Sequence, residues 1–274
     1  MGTLYLVATP IGNLEDITLR ALRVLKEVAA IAAEDTRTTR KLLSHYQIRQ
    51  RLLSYNEHNM RARTPQLLAL LKEADLALVS EAGTPAISDP GHELVLAAIR
   101  AGYPVVPVPG ASALLAALVI SGFDARRFTF LGFLPRRAGE LRRLLQRVEG
   151  ERRTLVAFES PHRLRRTLDE IRALWPERRI AVCREMTKAF EEVFRGTVTE
   201  AAAHFDEPRG EFTLVLEGAA ADVPKASIED IRNELSHLRE AGAKSRDAVR
   251  RVAEATGRPH REVYRLWLEI TQRG

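Results

Sequence analysis

Residues 4–18 read LYLVATPIGNLEDIT. Leu4 to Ala8 form a short apolar run, as a buried strand requires. The chain then turns through Thr9-Pro10-Ile11-Gly12-Asn13 and enters a helix over 16–27, with Asp16 as a possible cap and Leu19, Leu22 and Leu25 as its apolar face. A strand, a tight turn and a helix make the opening of an α/β fold. In many such folds the first turn holds a phosphate. This one carries neither G-x-x-x-x-G-K-[ST] nor G-x-G-x-x-G, so what it holds instead is the question on which the function depends.

The same alternation continues. Apolar runs at 28–34, 76–80 and 104–108 predict further strands of a buried parallel sheet. Helices are expected at 92–101, ended by Gly102, and at 111–120, where the sequence is apolar on all sides and predicts a buried helix. Ser121-Gly122-Phe123 reads as a hinge. Strands at 128–133, 154–158, 179–183, 192–195 and 212–217, with helices at 138–149, 162–174 and 199–205, predict a second α/β unit. Residues 218–224 read as a linker, and 227–274 as wholly helical with Gly257-Arg258-Pro259 between two helices. The expected organisation is two α/β domains, 1–121 and 122–220, and over 221–274 a linker with a helical, helix-turn-helix-like segment that either binds RNA or is an accessory piece for dimerisation or stability. The fold class is α/β.

The expected strand ends share a chemistry. They are Thr9-Pro10-Ile11-Gly12, then Glu81-Ala82-Gly83-Thr84-Pro85 with Ser88-Asp89-Pro90-Gly91, then Pro109-Gly110-Ala111-Ser112-Ala113. Small residues and prolines make stiff turns that a ligand can approach closely. Ligands of open α/β sheets sit at this edge. Without a lysine or anion cradle, the edge suits a flat, partly apolar ligand that lacks phosphates. S-adenosylmethionine has that chemistry, because its sulfonium would be repelled by the positive end of a helix.

Composition narrows the classes. One cysteine, Cys183, excludes an internal disulfide framework and a four-cysteine zinc site. A reducing cytoplasm suits it. No apolar run approaches the length of a membrane span. His92-Glu93 lacks the second histidine of a zinc motif, and Ser160 beside His162 lacks a nucleophile elbow, so neither a metal site nor a serine hydrolase is expected. The net charge is +6. Residues 126–184 hold 16 Arg and no Lys against 7 acidic residues, an excess of +9, so the rest of the chain is slightly acidic. Of the 42 basic residues, 36 are arginine. Arginine forks fit phosphate oxygens, and a basic band on an otherwise near-neutral chain points to a polyanion; a solvated surface of biased composition is the plainer alternative.

Several motifs together resemble one superfamily. They are LYLVATPIGNLEDIT (4–18), EDTRTTRKLL (34–43), SEAGTPAISDPG (80–91), VPGASA (108–113), GFLP (132–135), ESPHRL (159–164), REMTK (184–188) and GEFTLVLEG (210–218). In this order the chain resembles the tetrapyrrole-methylase-like superfamily, and within it the 16S rRNA cytidine 2'-O-methyltransferases. The resemblance covers about 210 residues. It implies two α/β domains of tetrapyrrole-methylase type, not Rossmann-type, S-adenosyl-L-methionine as cofactor, 16S rRNA or the small ribosomal subunit as partner, a homodimer, no membrane and no metal. It also implies the donor contacts: Pro10 in the first turn, Ala82, Gly83, Thr84 and Ile87 in the loop where Thr84 replaces the superfamily's Asp, Ser112 and Ala113, Phe158 and Glu159, and Phe212 and Thr213.

Removal of a ribose hydroxyl proton asks for a base or a cation beside the forming alkoxide. Lys188 in REMTK, with Glu185, is a candidate to polarise the oxygen or, with a lowered pKa, to take its proton; a surface Lys–Glu pair is the alternative. Asp35 is a second candidate base, or else an N-cap. His58, in Asn56-Glu57-His58-Asn59, is a further candidate for proton transfer, with a plain surface histidine as the alternative. Candidate RNA contacts are Arg37, Arg136, Arg137, Arg142, Arg143, Arg163, Arg246 and Arg250, with Arg258 and Arg261 also expected to face outward from the tail. A tetrapyrrole methyltransferase and a non-catalytic RNA-binding assembly factor remain as other readings.

Overall fold

A computed structural model describes residues 1–220, 228–256 and 258–272. The elements run β1 (Leu4–Val7), α1 (Leu19–Glu27), β2 (Ala30–Ala33), α2 (Thr36–His45), β3 (Leu52–Ser54), α3 (Met60–Leu71), β4 (Leu76–Val79), α4 (Gly91–Arg100), β5 (Val105–Val108) and α5 (Ala113–Ser121). They continue with β6 (Phe128–Phe133), α6 (Ala138–Arg147), β7 (Thr154–Glu159), α7 (Pro161–Leu174), β8 (Arg179–Arg184), β9 (Glu192–Thr197), α8 (Val198–His204) and β10 (Phe212–Leu216). Three helices follow: α9 (Ile228–Glu240), α10 (Ser245–Thr256) and α11 (His260–Gln272).

Residues 1–219 form one compact unit that contains two sheets. The first has the order β3-β2-β4-β1-β5, parallel throughout. Both faces of such a sheet are covered, and β2 and β4 are buried at every residue. The second has the order β6-β7-β10-β8-β9 and is mixed, with β6 parallel to β7 and the other pairs antiparallel. Helix α7 packs Leu164, Leu168 and Ile171 at helical spacing into this sheet's core, each fully buried. Each such side chain contributes about 1.5–3 kcal/mol of burial.

A separate cluster joins the sheets. Leu114, Ala117 and Leu118 of α5 pack with Ile11, and against Val156, Ala181, Cys183 and Val215 of the second sheet. Cys183 is fully buried there, and burial pushes its thiol up to about 11. The expectation that α5 is buried all round is corrected. Only the face toward the second sheet is covered, whereas Leu115 and Val119 are 52% and 70% exposed.

The first helix also differs from expectation. Residues 14–16 form a single 3-10 turn, and Thr18 caps α1 by accepting the Ala21 amide at 3.1 Å. Leu19 therefore falls in the first turn and is exposed, and the buried face is Ala21, Val24 and Leu25. Residues 220–274 form a second unit. Its core joins Ile231 and Leu235 of α9 to Val249, Val252, Val263, Leu266 and Trp267. The expected linker lies partly, over 221–224, outside the described residues, as does Gly257. Among the described residues no helix is long and apolar enough to cross a membrane.

Candidate active site

The first turn pairs with backbone instead of cradling an anion. Thr9 N donates to Gly83 O at 2.9 Å and Gly83 N returns to Thr9 O at 3.0 Å. This bridge ties the turns after β1 and β4 together at the point where strand order reverses, the place where open α/β sheets bind ligands. On its other side the first turn meets the segment after β8. Asn13 N donates to Thr187 Oγ1 at 3.0 Å, and any Cβ at Gly12 would collide with Lys188 Cγ. The turn is occupied by the REMTK segment.

Beside this junction lies a cavity of about 340 Å³ between the carboxyl edge of the first sheet and the second sheet. One wall is Ala82, Gly83, Thr84 and Ile87, with Ser112 and Ala113 beyond. The other is Phe158, Glu159, Phe212 and Thr213. Ten of the eleven residues expected to hold the donor therefore come together. Pro10 does not: it belongs to the turn behind the wall, and Ile11 reaches the cavity instead.

Local geometry explains the wall. Gly83 has φ +78°, and a Cβ there would press on Ile11 Cγ2 at 3.3 Å, so the loop needs glycine. Thr84 Oγ1 donates to Ala111 O at 3.2 Å, which clamps this loop to the turn after β5. Ala86 and Ser88 also hold positive φ, and Asp89 fixes them by accepting the amides of Ala86 and Gly91. Phe158 stacks its edge on Phe130 and tilts against Phe133, with ring centroids 5.1 and 5.4 Å apart. The cavity thus offers aromatic faces, small backbone-rich turns and carboxylates, and among the described residues no lysine or arginine lines it. That donor set fits an adenosine bearing a cationic tail and would disfavour a phosphate.

The loop after β8 carries the catalytic candidates. Glu185 and Thr187 both have positive φ, 49° and 65°. Such backbone is strained for residues other than glycine and persists where the surroundings enforce it. Lys188 Nζ donates to Glu185 Oε1 at 2.9 Å and to Glu211 Oε2 at 3.0 Å, and Glu211 lines the cavity. Burial works against the lysine's charge, but the hydrogen bonds and charges of Glu185 and Glu211 hold its ammonium above the ordinary lysine value. Burial likewise pushes the Glu185 carboxyl up, yet hydrogen bonds from Lys188 and the Glu211 amide, with the Lys188 and Arg184 charges, carry it below the usual glutamate range. Lys188 is a fixed cation here, which corrects the expectation of a lowered pKa and a proton-accepting amine.

Asp35 is not in the cavity. It caps α2, accepting the Arg37 amide at 2.7 Å and pairing with the Arg37 guanidinium. These hydrogen bonds lower its pKa, so it is a poor base. Its neighbour Glu34 lines the cavity instead. The sequence motif contained both; which of the two faces inward depends on where β2 gives way to the helix cap. His58 is exposed in a turn closed by Asn56, Asn59 and Ser54.

Among the arginines the structure separates two groups. Arg136, Arg137 and Arg143 are exposed on or just before α6, and Arg246 and Arg250 on α10. Arg137 and Arg250 hold only surface partners, Glu140 and Asp247. Arg142 forks onto Glu170 at 2.5 and 3.1 Å, and Arg37 is 84% exposed beside Asp35. Arg163 is different and corrects the expectation of an RNA contact. It is 18% exposed, sits 2.5 Å from the fully buried Glu159, and donates to Ser160 Oγ and Leu134 O. Glu159 further accepts from Thr167 Oγ1 at 2.7 Å. Arg163 thus serves the wall of the cavity. Arg258 is likewise tied to Glu262 at 2.7 Å, while Arg261 faces outward as expected.

A knitted turn pair at the switch point, a second mixed sheet and a cavity between them that, among the described residues, no lysine or arginine lines fit a methyltransferase of the non-Rossmann α/β kind. Residues 3–202 match the family of Tetrapyrrole (Corrin/Porphyrin) Methylases, to which the chain belongs. The cofactor is S-adenosyl-L-methionine. The chain is similar to Ribosomal RNA small subunit methyltransferase I of Synechocystis sp., 49% identical over all of both chains. The protein of the same name from Thermotoga maritima is 52% identical over 80% of this chain and 99% of its own. The crystal structure of Uroporphyrin-III C-methyl transferase from Thermus thermophilus, complexed with S-adenyl homocysteine, shares the fold with a TM-score of 0.57 at 24% identity, covering 79% of this chain and 97% of that one. Within the methylases, the chain belongs to the family of ribosomal RNA small subunit methyltransferase I.

Proposed function

We propose that this protein methylates the ribose 2'-hydroxyl of a cytidine in the decoding centre of 16S rRNA, with the cavity as the donor site. The observation that carries the reading is the junction of three parts: a cavity that no lysine or arginine lines among the described residues, the Lys188 ammonium hydrogen-bonded to the cavity residue Glu211, and an exposed arginine band on α6 of the same unit. The names of the relatives and the motif resemblance support rRNA as substrate.

The donor supplies an activated methyl carbon on a sulfonium. This chain must bind it, align an acceptor oxygen and manage one proton. Phe158 and Phe212 give an apolar bed, and the turn after β4 presents backbone groups. Lys188, held charged, stabilises negative charge on the acceptor oxygen, and Glu185 fixes the lysine from behind. Arg136, Arg137, Arg142 and Arg143 meet RNA phosphates, and Arg37 adds one contact near α2. The helical unit grips RNA through Arg246 and Arg250. The N-terminal (1–121) and second (122–220) domains share the donor site between them. The exposed Leu115 and Val119 of α5 favour a homodimer, and a cytoplasmic home follows from the substrate.

The test is transfer of labelled methyl from S-adenosylmethionine to small subunits that lack the modification. Label is expected on 16S rRNA. Absence of label on subunits and on free rRNA, with donor binding confirmed, would overturn the reading.

A further inference from the structure

Five carboxylates line the cavity: Glu34, Glu81, Asp89, Glu159 and Glu211. Four are accounted for. Glu159 is paired with Arg163, and Glu211 with Lys188. Asp89 accepts the amides of its own turn. Glu81 is exposed to solvent. Glu34 is half-buried where β2 ends, and among the described residues no cation pairs with it. Its Oε2 accepts the Glu81 amide at 3.1 Å, which fixes the carboxyl of this cavity-lining residue. The charged groups that face it are all acidic: Glu81 from the turn after β4, Asp89 from the turn before α4, and Glu57 from the turn before α3. Burial first, then these like charges, raise its pKa above the ordinary glutamate value, against the pull of the Glu81 amide. A carboxylate so placed is a stronger proton acceptor than one in water.

We propose that Glu34 is the general base that takes the proton of the acceptor hydroxyl. This rests on the ribose-methylation reading. In the step, the hydroxyl O–H bond breaks and its proton moves to the Glu34 carboxylate. The hydroxyl oxygen bonds to the methyl carbon. The carbon–sulfur bond breaks with its electron pair left on sulfur, so the sulfonium charge and the carboxylate charge disappear together. The products are the methyl ether, S-adenosylhomocysteine and protonated Glu34, which returns its proton to water. Lys188 and Glu34 then have separate roles. The lysine favours negative charge on oxygen, and the glutamate removes the proton.

Glu34→Gln tests this, because glutamine still accepts the Glu81 amide but takes no proton. Calorimetry should give an unchanged donor affinity, and thermal melting an unchanged fold. The turnover number should fall by about 10²–10⁴, the usual worth of a general base. The rising acid limb of the wild-type pH–rate profile, set above the ordinary glutamate range by burial and the neighbouring carboxylates, should vanish. Wild-type turnover in Glu34→Gln, or a retained limb, would overturn the role of Glu34 alone. So would loss of donor affinity, which would place Glu34 in the donor cradle. Wild-type label on a base instead of a ribose would overturn both this role and the ribose reading.

Discussion

Lys188 reaches back three residues to set its Nζ 2.9 Å from Oε1 of Glu185, whose own backbone is held at φ 49°. The pair is made possible by two glycines. A Cβ at Gly12 would strike the Lys188 stem, and one at Gly210 would strike the Glu185 side chain. A strained loop, packed this closely on the first βα turn, fixes one cation at the cavity edge.

Lys188→Ala should lower turnover by about 10²–10³, as removal of one donor to a developing oxyanion does elsewhere, while donor affinity measured by calorimetry stays near wild type. The pH dependence has a definite sign. The lysine's folded pKa is raised, so its ion pairs contribute stability that is fully present below the unfolded value of 10.5 and is lost as pH rises through the higher folded value. No break in rate near neutrality should come from Lys188. A neutral-pH limb that moves in Lys188→Arg would contradict this assignment.

Asp35→Ala separates capping from chemistry. The loss of one N-cap should lower Tm by about 2–4 °C in a chain of this size. Turnover should hold, because the carboxylate is committed to the Arg37 amide and guanidinium. A large fall in turnover without a change in Tm would restore Asp35 as a candidate base.

Glu159→Ala should destabilise the fold strongly. It removes a fully buried carboxylate and strands Arg163, Thr167 and the Ser160 amide. Breaking a buried pair costs about 3–5 kcal/mol, and the 18% exposure of Arg163 puts the value at the low end. Urea unfolding measures it. Arg163→Ala should show the same direction, and its effect on RNA affinity should not exceed what the lost stability explains.

Arg136→Ala with Arg143→Ala should weaken RNA binding and make it less salt-dependent. Each lost phosphate contact should reduce the slope of log affinity against log salt by about 0.7–0.9. An unchanged slope would remove the α6 band from the RNA surface.

The sheet edge was legible in the sequence because its chemistry is local. Three turns of small residues and proline announce where β1, β4 and β5 end, and the cavity forms there. What was not legible depends on direction. Glu34 and Asp35 are adjacent and both acidic, yet the end of β2 turns one inward and makes the other a cap. Arg163 sits in an arginine-rich stretch and looks like its neighbours, but its i,i+4 partner Glu159 is buried and draws it inward. Leu115 and Val119 sit in a helix apolar on every side, so periodicity held no sign of which face stays open. β3 has only three half-buried residues at the sheet edge, too few for a pattern. The end of α9 is marked locally by Gly242 at φ +79°, with the Ala243 amide donating back to Leu238 O at 2.9 Å, a stop signal that a reading of 227–274 as two helices passes over.

The most direct measurement concerns the acceptor atom. 16S rRNA labelled by the purified protein from S-adenosylmethionine should be digested with alkali and its labelled products identified by mass spectrometry. A 2'-O-methyl group removes the hydroxyl that attacks the adjacent phosphodiester. Label should therefore appear in one alkali-resistant dinucleotide that begins with cytidine. Label released in a mononucleotide, on the base, would contradict ribose methylation.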